Sequence, residues 1–119
     1  MLSNEQIIEV VIDAIEDVKG SGIRIIDVTG KSSVSDTLII ASGNTARQVK
    51  AIADNVVEKA KHAGVQPLGV EGEQHAEWVL VDLGDIVVHI MQPSIRDFYN
   101  LEKLWGDDSP TVVKDAARE

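Results

Sequence analysis

Residues 78–91 decide the fold, and they read WVLVDLGDIVVHIM. Two apolar runs flank Gly84 and Asp85, and a two-residue loop that begins with glycine matches the twist of paired strands, so this stretch predicts a β-hairpin. Counting outward from the loop leaves one face of the hairpin wholly aliphatic, which predicts that this face is core. That face carries Val79, Val81, Leu83, Ile86, Val88 and Ile90.

The other face of the hairpin mixes apolar and polar residues. It carries Trp78, Leu80 and Asp82 opposite Met91, His89 and Val87. An apolar centre with polar neighbours is typical of a protein interface, but tryptophan is also common in cores, so the pattern alone leaves both interpretations of Trp78 open. Asp82 and His89 are candidates for a charge-assisted hydrogen bond, which without a nucleophile indicates a polar contact before a catalytic dyad.

Patterns on both sides of the hairpin predict a single domain of the α/β (α+β) class. Helical and β-branched periodicities indicate helices that alternate with about five short strands. Residues 1–106 are expected to form this domain, and the charged segment 107–119 is expected to be a flexible tail. The predicted helices are 4–19, the segment between 45 and 64, and 94–100, and the further strands are 23–28, 37–41 and 67–70.

Composition narrows the possible chemistry. The 119 residues contain no cysteine, which excludes disulfides, thiolate metal sites and a cysteine nucleophile. The net charge of −9 disfavours direct nucleic-acid binding and favours encounter with a basic protein. Because neither a signal peptide nor a membrane-spanning run is recognisable, we expect a cytoplasmic protein that does not contact membranes.

Three segments together resemble the ribosomal silencing factor family, also known as Iojap-like proteins. The first is RQVKAIAD at 47–54, preceded by Asp36 and by Ser42-Gly43-Asn44. The second is Glu71-Gly72 followed by WVLVDLGDIVVH at 78–89. The third comprises Arg96, Tyr99, Leu101-Glu102, Leu104 and Trp105. The resemblance runs in unbroken order from the first helix to Trp105, and the tail is interpreted as lying outside it.

The resemblance implies a fold similar to nucleotidyltransferases, with a mixed sheet of about five strands and helices mainly on one face. It also implies a homodimer when free, and a function without catalysis, cofactor or metal. It implies binding to the large ribosomal subunit through ribosomal protein fourteen, which sterically blocks subunit joining and represses translation when nutrients are scarce. Together with the resemblance, the mixed hairpin face is predicted to bind this partner. The predicted partner-binding residues on that face are Trp78, Leu80, Asp82, His89 and Met91.

Roles can also be predicted for several residues outside the hairpin. Arg96 and Tyr99 are spaced to share a helical face and belong to types enriched at interface hot spots, so they join the predicted partner-binding set. Trp105 is predicted to seal a sheet edge. Arg47, Gln48 and Lys50 begin the second helix, where a solvated face is favoured over a functional role.

Two alternatives remain from the sequence. The first is a degenerate nucleotide-binding or nucleotidyltransferase-like enzyme, which needs convergent carboxylates, but the acid-x-acid sequence Glu71-Gly72-Glu73 falls in a polar connection. A metal site built from these glutamates with His75 and His89 has no support from spacing. The second alternative is a generic homodimeric adaptor that does not bind ribosomes.

Overall fold

The computed structural model describes residues 3–27, 37–99 and 111–112 of the chain. These residues form helices α1 (Asn4–Asp17), α2 (Ala46–His62) and α3 (Pro93–Tyr99), and strands β1 (Ser21–Asp27), β2 (Thr37–Ser42), β3 (Gly69–Glu71), β4 (Trp78–Asp82), β5 (Ile86–Met91) and β6 (Thr111–Val112). Every helix and strand predicted from the sequence is present, with small shifts at the ends. None of the helices in the described ranges has both the length and the apolar character needed to cross a membrane.

The strands form one mixed sheet in the order β3-β4-β5-β2-β1-β6. The central pair, β2 and β5, is parallel, and all other neighbours are antiparallel. A parallel pair requires a long crossover, which α2 supplies between β2 and the strands that follow it. The predicted single-domain α+β fold with a five-stranded mixed sheet is therefore confirmed, and the two-residue β6 extends one edge.

Strand β6 falls within the segment predicted to be a flexible tail. Thr111 and Val112 pair with Ile26 and Ile25 of β1. Both residues are β-branched, which suits a strand at a sheet edge. The flexible tail at 107–119 stays a prediction, and 107–110 and 113–119 lie outside the described residues.

Helix α1 is capped at both ends. A capping box forms between Ser3 and Gln6 at its start. At its end, Lys19 adopts the left-handed conformation, with φ 64°. The amide of Gly20 donates to the carbonyl of Ile15 at 2.9 Å, which closes a Schellman motif. Gly20 is required by close approach, because a Cβ there would lie 2.3 Å from Cγ2 of Ile15.

Helices α1 and α2 cover one face of the sheet, where the larger apolar cluster lies. Its fully buried members include Ile15 of α1, Ile52 of α2, and Val79, Val81 and Ile90 of the hairpin. The opposite face has a second cluster, made of Ile26, Leu38, Ile40, Val87 and Met91, with Trp78, Leu80 and Ile95 packed against it. Because α3 contributes Ile95 to the second face, the described helices are distributed two to one between the faces, as predicted.

Candidate partner-binding surface

The β4–β5 hairpin has the register predicted from its sequence. The amide of Leu83 donates to the carbonyl of Ile86 at 2.9 Å, which leaves Gly84 and Asp85 as a two-residue loop. Gly84 has φ 96°, a left-handed conformation that glycine adopts without strain. Val79 pairs with Ile90 and Val81 with Val88, and all four are completely buried. The prediction that this hairpin face is core is confirmed.

The second hairpin face brings the predicted pairs together, but its residues differ in exposure. Trp78 pairs with Met91, Leu80 with His89, and Asp82 with Val87. The three β4 residues are only partly buried, whereas Met91 is 0% exposed and His89 is 8% exposed. The accessible part of the predicted site is therefore on β4, and the β5 residues lie beneath it.

Strand β3 adds a residue that the sequence analysis left outside the site. Glu71 pairs with Leu80, so it belongs to the same sheet face, and it is exposed. The register between β3 and β4 could not be counted from the sequence, because a six-residue connection separates the two strands. We define Glu71, Trp78, Leu80 and Asp82 as the β4 surface.

The polar contacts on this face differ from the predicted ones. The indole Nε1–H of Trp78 donates to Nδ1 of His89 at 2.9 Å. The carboxylate of Asp82 accepts a hydrogen bond from the amide of Gly84 at 2.9 Å, which places it at the hairpin loop. The candidate hydrogen bond between Asp82 and His89 does not form, because Asp82 accepts from the Gly84 amide and His89 accepts from the Trp78 indole.

Burial sets the protonation state of His89. Desolvation lowers the pKa of His89 from 6.5 to about 4, so the imidazole is neutral at pH 7. Since Nδ1 accepts the indole hydrogen bond, the ring proton of the neutral imidazole lies on Nε2. An imidazole with a pKa of about 4 is a weak base, and at neutral pH it is present as a neutral hydrogen-bonding group.

Arg96 has an internal role that its sequence position did not suggest. Its Nη1 donates to the hydroxyl of Ser42 at 2.8 Å, which ties α3 to the end of β2. The same guanidinium nitrogen lies 2.8 Å from the point that a Cβ on Gly22 would occupy. Arg96 is only partly buried, so part of its side chain is accessible to a partner.

Of the other residues in the third resemblance segment, Tyr99 alone lies within the described ranges. Tyr99 is the last residue of α3. The prediction that Trp105 seals a sheet edge lies outside the described residues, as do Leu101, Glu102 and Leu104.

The chain segment that carries the β4 surface is acidic throughout. Between residues 62 and 95 there are no lysines or arginines. The acidic residues in this segment are Glu71, Glu73, Glu77, Asp82 and Asp85, and all except the partly buried Asp82 are exposed. A surface of this kind attracts basic partners and repels phosphate.

The start of α2 is only partly a solvated face, because one of its three polar residues makes contacts within the chain. Arg47 and Lys50 are exposed, as the favoured interpretation requires. Gln48, however, donates through Nε2 to the carbonyls of Val18 and Lys19 at 3.1 and 3.0 Å, and its Oε1 accepts from the amide of Asn44. This side chain therefore links the end of α1 to the start of α2 by hydrogen bonds.

The residues of the enzyme alternative lie in β3, in the β3–β4 connection and on β5. Glu71, Glu73 and His75 are exposed, and no group of three or more histidines and carboxylates within the described ranges could hold a metal ion. A cleft of about 540 Å³ lies between the start of α1, the end of α2 and the hairpin loop. Its described lining includes Asp85 and no cation that could balance a nucleotide phosphate.

Comparison with known proteins identifies the family. A sequence profile described as "Ribosomal silencing factor during starvation" matches residues 2–119. A Chromobacterium violaceum protein named ribosomal silencing factor RsfS is 45% identical over 114 residues, which span 96% of this chain and 93% of that protein. A crystal structure from the same organism, 44% identical, superimposes with a TM-score of 0.87 and covers 98% of both chains. The chain belongs to the ribosomal silencing factor family.

A more distant relative extends the comparison to organelles. A mouse protein named "Mitochondrial assembly of ribosomal large subunit protein 1" is 30% identical over 101 residues, which span 82% of this chain and 44% of that protein. The names of these relatives are those of ribosomal factors. The family resemblance found in the sequence is thus confirmed, and its limit at Trp105 was drawn too early, because the matched region continues through the tail.

Proposed function

We propose that this protein binds the large ribosomal subunit in the cytoplasm through ribosomal protein fourteen and sterically blocks subunit joining, which represses translation under nutrient limitation. Membership of the ribosomal silencing factor family supports the proposal. The name of the mouse relative, which refers to the large ribosomal subunit, supports the choice of subunit. The function needs no catalytic group, because two rigid bodies cannot occupy one interface and the block depends only on occupancy.

The β4 surface is the proposed contact, and its exposed apolar centre is the observation that carries this assignment. Trp78 and Leu80 are large apolar residues on a sheet face, yet they remain partly exposed while their neighbours Val79 and Val81 are completely buried. Aromatic and aliphatic groups with a polar rim are the usual anchors of protein interfaces. Met91 and His89 are proposed to support these anchors from below.

Charge defines the kind of partner that fits this surface. Glu71 and Asp82 flank the apolar centre, and the surrounding segment lacks cations between residues 62 and 95. The negative electrostatic field would speed the association of a basic ribosomal protein. This rate enhancement would decrease at higher salt, because salt screens the field. Arg96 and Tyr99 lie on α3, which follows β5, and they are assigned a secondary contact.

The test is retention of the protein on isolated bacterial large ribosomal subunits and on purified ribosomal protein fourteen. Trp78→Ala is expected to weaken binding about thirtyfold, which corresponds to the ~2 kcal/mol typical of a central interface tryptophan. Leu68→Ala is the matched control, because Leu68 is a large apolar residue that is 72% exposed and lies outside the β4 surface. Equal retention of folded Trp78→Ala and wild type would remove the β4 surface from the proposal.

The free protein is proposed to be a homodimer, as the family resemblance implies. Sedimentation equilibrium of the free chain measures this directly. Addition of purified ribosomal protein fourteen then shows whether dimer and complex compete. A chain that stays monomeric at every concentration would contradict the dimer and leave the ribosomal contact unaffected.

A further inference from the structure

His89 occupies an unusual position for a polar side chain. It lies on β5 between Leu80 of β4 and Ile40 of β2, and it is only 8% exposed. The other residues of β5 are Ile86, Val87, Val88, Ile90 and Met91. Burying an imidazole in such a strand is unfavourable unless the ring makes hydrogen bonds, so an apolar residue would pack there at lower cost.

The contact that His89 makes is directed towards the β4 surface. Its Nδ1 accepts the indole N–H of Trp78 at 2.9 Å. The two rings lie 5.8 Å apart between centroids and are tilted by 49°, so they meet through the edge of the indole and do not stack. An edge contact of this kind depends on which way the indole is turned, because a ring flip would move the N–H away from the acceptor.

We propose that His89 is a positioning residue for partner binding, whose Nδ1 holds the Trp78 indole in the orientation that the partner recognises. The inference rests on the proposed function of the β4 surface. A side chain already held in its bound orientation loses less conformational freedom on association, which raises affinity without adding a contact. The acceptor remains available at neutral pH because burial lowers the pKa of His89 to about 4.

A double-mutant cycle separates positioning from a general packing role. His89→Leu removes the acceptor but keeps an apolar side chain, and Trp78→Phe removes the donor but keeps an aromatic ring. We expect His89→Leu to weaken binding to isolated large ribosomal subunits about fivefold in the wild-type background, and to have no further effect in Trp78→Phe. An equal loss in both backgrounds would show that His89 acts through packing, which overturns the proposal.

His89→Asn provides the rescue, because its side-chain oxygen lies near the position of Nδ1. This variant is expected to bind within about twofold of wild type. The second readout needs no partner: the Trp78 indole N–H resonance, assigned by its loss in Trp78→Phe, should exchange with solvent faster in His89→Leu than in wild type and His89→Asn. Unchanged exchange in folded His89→Leu overturns the positioning role.

The outcomes distinguish this inference from the function on which it rests. If the wild-type protein fails to bind large ribosomal subunits, the proposed function is wrong and the binding role of His89 falls with it. If the wild type binds, Trp78→Ala does not, and His89→Leu binds as wild type, the β4 surface stands and the positioning role alone is overturned.

Discussion

Trp78 and His89 lie diagonally across neighbouring antiparallel strands, and the indole of one donates a 2.9 Å hydrogen bond to the imidazole of the other. The bond requires an unprotonated Nδ1, and protonation of the ring would replace an acceptor with a second donor. The stability of the folded chain is therefore linked to the ionisation of His89.

Acidification is expected to destabilise the protein through His89. In the unfolded chain the imidazole has its ordinary pKa of 6.5, whereas burial lowers the pKa to about 4 in the folded chain. The unfolded state binds more protons between these values, so stability is lost as pH falls from 6.5 towards 4, by up to about 3 kcal/mol. Denaturant unfolding at pH 7, 5.5 and 4.5 measures this loss.

His89→Asn is the control for that titration, because the variant cannot ionise at this position. Carboxylates elsewhere contribute equally to the pH dependence of both proteins. The difference in unfolding free energy between wild type and variant should therefore shrink or reverse at low pH. A constant difference across the three pH values would contradict a depressed His89 pKa.

Gly20→Ala is expected to destabilise the fold at the junction of α1 and β1. The added Cβ would lie 2.3 Å from Cγ2 of Ile15 and 3.2 Å from Cδ1 of Ile52, both in buried side chains. Overpacking of this kind costs about 1–3 kcal/mol, measurable by chemical denaturation. Gly69→Ala is the matched control, because a Cβ at Gly69 meets nothing within 4 Å. Equal effects of the two substitutions would refute the steric explanation.

Gln48→Ala is expected to destabilise the fold, because it removes the hydrogen bonds that link α1 to α2. The side chain bonds to the carbonyls of Val18 and Lys19 and accepts from the amide of Asn44 at 2.7 Å, so several backbone groups lose a partner. A loss of about 1–2 kcal/mol should appear in thermal or denaturant unfolding. Arg47→Ala, at the exposed neighbouring position, should change stability little, and a comparable loss there would contradict a role specific to the Gln48 hydrogen bonds.

Substitutions on the two faces of the hairpin are expected to have different effects, one mainly on stability and the other mainly on partner binding. Ile90→Ala removes a fully buried side chain from the larger cluster and should cost about 2–5 kcal/mol of unfolding free energy. Leu80→Ala truncates a partly exposed side chain of similar size, so it should cost less stability. It should nevertheless weaken retention on large ribosomal subunits more than Ile90→Ala does when both variants are folded. The reverse order in binding would argue against the β4 surface.

Local patterns in the sequence were sufficient for most of the fold. The glycine loop at Gly84 and the alternation of the flanking residues predicted the pairing of Val79 with Ile90 and of Trp78 with Met91, because a two-residue turn leaves one register. The membership of Glu71 in the β4 surface was not predictable, because it depends on how β3 meets β4 across an irregular connection. The partners of Gln48 and Arg96 were missed because they lie 29 to 54 residues away in the chain.

The sequence by itself determined the family, through the resemblance of three segments. It also determined the helices and strands and which hairpin face is core, since periodicity and turn chemistry act over a few residues. Only the tertiary structure decided which residues of the second face remain accessible. Trp78, Leu80 and Asp82 are partly exposed, whereas Met91 and His89 are covered, although all five alternate in the same way along their strands. The difference arises because β5 is central in the sheet and β4 lies one strand from its edge, and exposure depends on those neighbours.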